Sequence, residues 1–125
     1  MKHKTFGDKL RELRLQREEY ASLRDFSSKV GLSPTYMSHL ENNKVPPPSE
    51  GVIERLAEAL QADKYELFSL AGKMPPEFLA AFQKNPRGMA DFLRKAQEAG
   101  ISEDRDWERL SHEASRLVKT SSKKS

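Results

Sequence analysis

Residues 22–43 have the sequence SLRDFSSKVGLSPTYMSHLENN, and this stretch decides the fold. Ser22 followed three residues later by Asp25 is a variant of the capping box, which predicts the start of a helix. Gly31 suits the left-handed residue that ends a helix. Ser33-Pro34 places a capping hydroxyl before a proline at the first helical position of a second helix. The stretch therefore predicts two short helices joined by a tight turn.

Two short helices around a glycine-containing turn are the sequence form of a helix-turn-helix. At about 100° per residue, the second helix has one apolar side and one polar side. Met37 and Leu40 fall on the apolar side, with Tyr36 at its edge. The polar side is short and uncharged, and its members are Thr35, Ser38, His39 and Asn42. Short hydrogen-bonding side chains suit the base edges of the DNA major groove, which differ in donors, acceptors and the thymine methyl.

Helical periodicity continues on both sides of this stretch, and no strand pattern is found. A first helix is predicted from about Thr5 to Arg17. A fourth helix is predicted with Ser49 as its cap, and a fifth is predicted with Asp63 as its cap and Gly72 at its end. The predicted fold class is therefore all-α, with a five-helix domain over residues 1–72.

Residues 73–119 predict a helical extension, and the Ser/Lys-rich residues 120–125 predict a disordered tail. The last predicted helix, after Ser102, carries a narrow apolar stripe. Its members are Trp107, Leu110, Ala114, Leu117 and Val118. We expect this stripe to form a dimer interface. The alternative is that it folds back on its own domain, beside Phe78, Phe82, Phe92 and Leu93.

The charge distribution favours a phosphate-binding surface in the first third of the chain. Residues 1–48 have nine Lys and Arg against six Asp and Glu, residues 49–72 have two against five, and residues 73–125 have eleven against eight. The 125 residues carry a net charge of +3. A basic first third followed by an acidic stretch is typical of one surface that faces nucleic acid.

Several function classes are not supported by the sequence. There is no cysteine, which suits a reducing cytoplasm and removes thiolate metal sites. The histidines His3, His39 and His112 lack the paired spacing of zinc ligands. No run approaches the roughly 20 apolar residues of a membrane span, and no secretory signal is found. Without a phosphate loop, nucleophile elbow or clustered acid and base, we expect neither an enzyme nor a cofactor.

Arg14 lies about 40° around the first helix from Leu10, close to the buried side, and it therefore needs an acceptor. Glu41, beside Met37 on the second helix of the turn, is the candidate for a structural ion pair. Phosphate contacts are expected from residues that flank the polar face, including backbone N–H groups near Ser22.

The runs FGDKLRELR (6–14), LRDFSSKVGLSPTYMSHLEN (23–42) and the segment from Pro48 to Leu60 resemble the lambda-repressor/Cro-like family of helix-turn-helix regulators, the XRE family. The resemblance covers about residues 5–72. It implies a five-helix domain that reads a near-palindromic operator with its third helix, usually as a dimer. It also implies base contacts at Pro34, Thr35, Ser38 and His39, and an arginine–glutamate tie that matches Arg14 and Glu41. With the flanking residues, the expected DNA backbone contacts are Ser22, Leu23, Arg24, Lys29, Tyr36, Asn42, Asn43 and Lys44.

Three features depart from the family pattern. The connection from Leu15 to Ser22 is about two residues longer than usual. Asn43 stands where a glycine is common, and asparagine tolerates the left-handed conformation. Leu23 stands where many members have glutamine, so a phosphate contact there depends on its backbone N–H.

The sequence thus predicts a DNA-binding transcriptional regulator, a repressor that acts as a dimer on double-stranded DNA in the cytoplasm. The main alternative is an antitoxin or a protease-regulated repressor whose C-terminal helices bind a partner protein. A structural adaptor that does not bind DNA is a third hypothesis.

Overall fold

The computed structural model describes the backbone of residues 4–124 and the side chains of residues 4–117. This part of the chain is helical, without a strand, which confirms the all-α prediction. The helices are α1 (Phe6–Leu15), α2 (Leu23–Val30), α3 (Pro34–Glu41), α4 (Glu50–Leu60), α5 (Lys64–Ala71), α6 (Pro76–Lys84), α7 (Pro86–Glu98) and α8 (Asp104–Lys124), with a 3-10 helix at Glu18–Tyr20.

The helix ends around the turn follow from side-chain capping. The Ser22 hydroxyl accepts from the Asp25 N–H at 3.3 Å, and the Ser33 hydroxyl accepts from the Tyr36 N–H at 3.1 Å. Gly31 ends α2 in the left-handed conformation, at a φ of 72°. Each of these local features agrees with the sequence prediction, because capping chemistry acts within four residues.

Ser49 precedes α4 as predicted but does not cap it through its side chain. Helix α4 begins directly after Ser49, yet no side-chain capping hydrogen bond forms there. A serine at this position favours a helix start, but its hydroxyl is free to rotate toward solvent. At α5 the cap forms as predicted, since Asp63 accepts from the Tyr65 N–H at 2.9 Å.

The chain divides into two compact units, residues 1–80 and 81–125. In the first unit, α1 to α5 enclose one apolar core. Its buried members are Phe6, Leu10, Tyr20, Phe26, Val30, Met37, Leu40, Ile53, Leu56, Ala57, Leu60, Leu67 and Phe68. Helix α3 contacts both α1 and α2, so it is held from two sides.

The long connection between α1 and α2 is occupied by the 3-10 helix. Its last residue, Tyr20, is buried and contacts Phe26, with the ring centroids 4.9 Å apart. The extra residues therefore add a side chain to the core instead of forming a loose loop.

The first unit extends past Gly72, where the sequence analysis ends the five-helix domain. The rings of Tyr65 and Phe78 stack with centroids 5.6 Å apart, and Lys64 pairs with Glu77 at 3.2 Å. These contacts attach the start of α6 to α5. The sequence does not reveal them because they join residues twelve or more positions apart.

The second unit contains α7 and α8. Pro86 begins α7 at the first helical position, where proline is favoured. Helix α8 begins at Asp104, two residues after the predicted cap at Ser102, and its backbone is helical to Lys124. The predicted disordered tail at 120–125 thus has a helical backbone over 120–124. No glycine or proline interrupts the chain after Gly100, so no residue there breaks the helix.

Candidate nucleic-acid interface

Helix α3 presents the polar side that the sequence predicts. Pro34 and Thr35 are exposed, and Ser38 and His39 are half-buried. Met37, Leu40 and Glu41 are buried on the opposite side. The four candidate base-contacting residues therefore share one accessible surface at the N-terminal half and middle of α3.

A buried ion pair anchors α3 to α1. The Arg14 Nε donates to Glu41 Oε2 at 2.7 Å, and Nη2 donates to Oε1 at 3.0 Å. Both residues are 6% exposed. This two-point geometry fixes the orientation of both side chains, which a single contact would not do.

Arg14 also holds the backbone before α2, which the sequence analysis missed. Its Nη1 donates to the carbonyl oxygens of Tyr20 and Ala21, each at 3.0 Å. These residues immediately precede Ser22, the N-cap of α2. One guanidinium therefore joins α1, α3 and the start of α2. The long α1–α2 connection was the sequence feature that could have indicated these hydrogen bonds, because its carbonyl groups required donors.

The first turn of α2 is suited to an anion. The N–H groups of Leu23 and Arg24 lie at the first two helical positions, where a helix supplies no acceptor of its own. Ser22 is exposed, and its hydroxyl accepts the Asp25 N–H. The side chain of Leu23 is half-buried against the core. At Leu23, only the backbone is left to contact a phosphate.

The end of α3 meets the start of α1 at very short range. A Cβ built on Gly7 would lie 2.3 Å from the Leu40 carbonyl oxygen and 2.6 Å from Asn43 Oδ1. Only a glycine leaves room for this approach. The glycine inside the helical pattern of α1 was the sequence signal for this close approach.

Asn43 links these two helix ends. It adopts a left-handed φ of 58°, as its position in place of a glycine predicts. Its Oδ1 accepts from the Gly7 N–H at 3.2 Å, and its Nδ2 donates to Asp8 Oδ1 at 3.3 Å. The hydrogen bond of Asp8 with the Thr5 hydroxyl, and then that with Asn43, hold the pKa of the Asp8 carboxyl below its usual value.

The other residues predicted to contact the DNA backbone differ in their exposure and hydrogen bonds. Asn42 is exposed, and its Nδ2 donates to the Ser38 carbonyl oxygen at 2.8 Å, which caps α3. Lys44 is exposed directly after the turn, and Tyr36 is half-buried. Arg24 is exposed at the start of α2.

Lys29 lies elsewhere. It is exposed and lines a groove between α2 and α4 with Arg17, Arg55 and Glu58, to which α3 contributes no residue. Among side chains of residues 4–117, Arg24, Lys29 and Lys44 have no ion-pair partner. Their charges are therefore free for an external anion.

The predicted stripe on α8 is accessible within one chain. Trp107 is 39% exposed and Leu117 is 73% exposed. Ala114 is exposed and Leu110 is half-buried, whereas the side chain of Val118 lies outside the described residues. On α7, Phe92 and Leu93 are exposed as well.

Across the described residues, no group of three or more His, Cys, Asp or Glu is arranged to hold a metal ion. None of the helices described here combines the length and the apolar character needed to cross a membrane.

Comparison with known proteins identifies the domain. No curated protein sequence matches the chain. A solved structure titled as the complex of the SinR protein with the SinI protein is similar, with a TM-score of 0.49 and 20% identity, over 91% of this chain and 99% of that chain. The model of a helix-turn-helix domain matches residues 5–68, just over half of the chain. The chain therefore belongs to the helix-turn-helix domain family of DNA-binding proteins.

Proposed function

We propose that this protein is a sequence-specific transcriptional repressor of the lambda-repressor/Cro-like (XRE) type, which binds a near-palindromic operator in double-stranded DNA as a homodimer. The observation that carries the proposal is the polar face of α3. It is accessible, while its opposite face is fixed by the core and by the Arg14–Glu41 pair.

In this proposal α3 lies in the major groove, as the second helix of a helix-turn-helix does. The Thr35 methyl group suits a thymine methyl, and its hydroxyl and that of Ser38 donate or accept hydrogen bonds. His39 offers a ring nitrogen to a base edge, and Pro34 contributes an apolar contact. None of these side chains is long, so α3 must approach the bases closely.

Phosphates on either side of the groove fix the register of α3. The first-turn N–H groups of α2, at Leu23 and Arg24, bind one phosphate, with Ser22 and the Arg24 side chain beside it. Lys44 and Asn42, past the end of α3, bind another, and Tyr36 borders the same surface. Lys29 contributes charge to the approach of DNA from its position on α2.

The homodimer forms through α8. A near-palindromic operator needs two recognition helices about one DNA turn apart, roughly 34 Å, and a symmetric dimer provides this spacing. An apolar stripe that is exposed in the single chain is suited to such an interface. In this proposal the operator overlaps sites that the transcription machinery uses, so a stably bound dimer represses transcription. The protein then acts where the DNA is, in the cytoplasm.

A second candidate function uses the same surface differently. The exposed Phe92, Leu93 and Trp107 favour binding of α7 and α8 to a different protein, as in an antitoxin or in a repressor that a partner protease inactivates. Co-purification of a second protein in fixed ratio would favour this candidate, whereas a homodimer alone would favour the first.

Selection of bound sequences from a random pool of DNA duplexes tests the function. We expect an enriched motif with two inverted half-sites. The affinity for that motif should fall steeply between low and moderate salt, because each neutralised phosphate releases counterions, with a slope of about −0.9 per contact in log K against log salt.

A scrambled duplex of the same composition is the control. An affinity that is equal for selected and scrambled DNA would exclude sequence-specific binding. No binding to either duplex at low salt would favour the structural adaptor.

A further inference from the structure

We propose that Asn43 is a positioning residue for operator recognition, which acts through the start of α1 and not through a phosphate. The inference deepens the proposed function and rests on it. It reassigns a residue that the sequence analysis places among the DNA backbone contacts.

The hydrogen bonds of Asn43 are directed into the protein. Its backbone N–H donates to the Leu40 carbonyl oxygen at 3.2 Å. Its side-chain oxygen accepts the Gly7 N–H, and its side-chain nitrogen donates to Asp8. The backbone N–H and one of the two side-chain N–H groups are therefore already engaged within the protein, and a phosphate contact through either of these would have to replace an existing bond. The second side-chain N–H is the remaining donor, and the comparison of operator with scrambled DNA separates its use by a phosphate from the positioning role.

The contact with Gly7 satisfies a group that α1 cannot satisfy itself. The Gly7 N–H lies in the first turn of α1, where no preceding carbonyl group of the helix is available. Asn43 supplies the acceptor from the residue two positions after α3. The end of the recognition helix and the start of α1 thus share one hydrogen-bonded junction, defined here as Gly7, Asp8 and Asn43.

This junction complements the Arg14–Glu41 pair. The ion pair holds the side of α3 that faces the core, at the last residue of the helix. The junction holds the backbone that follows, immediately before Lys44. The two attachments hold α3 at different points, in addition to its packing against α1 and α2, and together they restrict its rotation more than either attachment alone. Base contacts by short side chains need this restriction, whereas binding to phosphates in random DNA tolerates small displacements.

The test measures the affinity for the selected operator and the affinity for scrambled DNA at one salt concentration. The quantity compared between variants is the ratio of the operator affinity to the scrambled-DNA affinity. Asn43→Gly keeps a residue that favours the left-handed conformation and removes the amide. We expect the ratio to fall about three- to tenfold, the range that corresponds to one hydrogen bond. Affinity for scrambled DNA should change less than about twofold, since the random-sequence contacts are electrostatic.

Asp8 provides matched variants outside α3. Asp8→Ala removes the acceptor of the Asn43 amide and should lower the ratio in the same direction. Asp8→Asn keeps a side-chain oxygen at that position and should preserve the ratio, although it removes the same charge. The double variant Asn43→Gly with Asp8→Ala should fall little below Asn43→Gly alone, because both changes remove one junction.

Three results would overturn the inference. Equal losses for operator and scrambled DNA in Asn43→Gly would indicate a direct phosphate contact. An unchanged ratio with a lowered melting temperature would indicate a structural role alone. Equal ratios for Asp8→Ala and Asp8→Asn would assign the effect of Asp8 to its charge.

A readout without DNA separates this inference from the proposed function. Amide hydrogen exchange of Gly7 in the full chain should be faster in Asn43→Gly than in the parent protein, since its acceptor is lost. If Gly7 exchanges faster in Asn43→Gly but the parent protein selects no operator, the junction is supported and the proposed DNA-binding function is rejected. Unchanged exchange would reject the junction itself.

Discussion

At the scale of single residues, Arg14 connects the most elements, because its guanidinium joins α1 to α3 and to the backbone before α2. A buried guanidinium requires acceptors for its donors, and the protein provides a carboxylate and two carbonyl groups. Position on the helix was enough to predict that Arg14 needs an acceptor. The two carbonyl groups were not predictable, because they depend on how the 3-10 helix folds back toward α1.

We expect Glu41→Gln to lower the free energy of unfolding by about 3–5 kcal/mol, since it leaves the Arg14 charge buried without a counter-charge. Thermal and urea unfolding measure the change. Glu12→Gln is the control in the exposed pair of Glu12 with Lys4, and it should leave the melting temperature nearly unchanged. A Glu41→Gln protein as stable as the Glu12→Gln protein would show that the buried pair contributes no net stability.

At the scale of elements, the helix-turn-helix was the part of the fold that the sequence predicted best. Its caps at Ser22 and Ser33 and its left-handed turn at Gly31 are all local. The polar side of α3 was also predictable, because helical periodicity separates it from Met37. The junction of Gly7 with Asn43 was not, because it joins residues 36 positions apart. Lys29 shows the same limit: its charge suggested a phosphate contact, which stays a prediction, and the sequence did not reveal that it lies beside α4.

The accessible side of α3 should carry the base preference. We expect His39→Ala to lower discrimination at one base pair of the selected motif by about 1–3 kcal/mol, with an unchanged melting temperature. Lys44→Ala should instead weaken binding to operator and scrambled DNA together and reduce the salt slope by about one. Competition binding against single-base variants of the operator measures the effect of His39→Ala. Binding to operator and scrambled DNA over a range of salt concentrations measures the effect of Lys44→Ala. A selected motif identical to that of the parent protein would remove His39 from the base contacts.

At the scale of the whole molecule, the chain has a first unit whose apolar residues are largely enclosed and a second unit whose apolar residues are largely accessible. Phe92, Leu93, Trp107 and Leu117 are all exposed, whereas the core of α1 to α5 is complete. Large contiguous exposed apolar patches often mark sites of protein–protein interaction. The sequence predicted the apolar stripe on α8 but not which surface packs against it. Helical periodicity describes the faces of one helix and gives no information about its packing partner.

The proposed dimer interface on α8 can be tested by one substitution in the full chain. Leu117→Glu places a charge in the stripe, where it should convert the dimer to a monomer and weaken operator binding. Because Leu117 is 73% exposed within one chain, the fold should survive. Sedimentation velocity measures the association state. His112→Glu, on the opposite side of α8, is the matched control and should remain dimeric. A dimeric Leu117→Glu protein would transfer the interface to another surface.

The short approach of α1 to the end of α3 has a consequence for engineering. An operator preference is commonly transplanted by exchanging the exposed residues of a recognition helix between scaffolds. In this protein the position of α3 also depends on residues outside it. Gly7 leaves room for the Leu40 carbonyl group, Arg14 pairs with Glu41, and Asn43 accepts a hydrogen bond from the Gly7 N–H. A recipient scaffold with alanine at the position of Gly7 would meet the Leu40 carbonyl group and tilt the grafted helix. A transplant of the operator preference therefore has to include Gly7, Arg14 and Asn43 together with the four candidate base-contacting residues of α3.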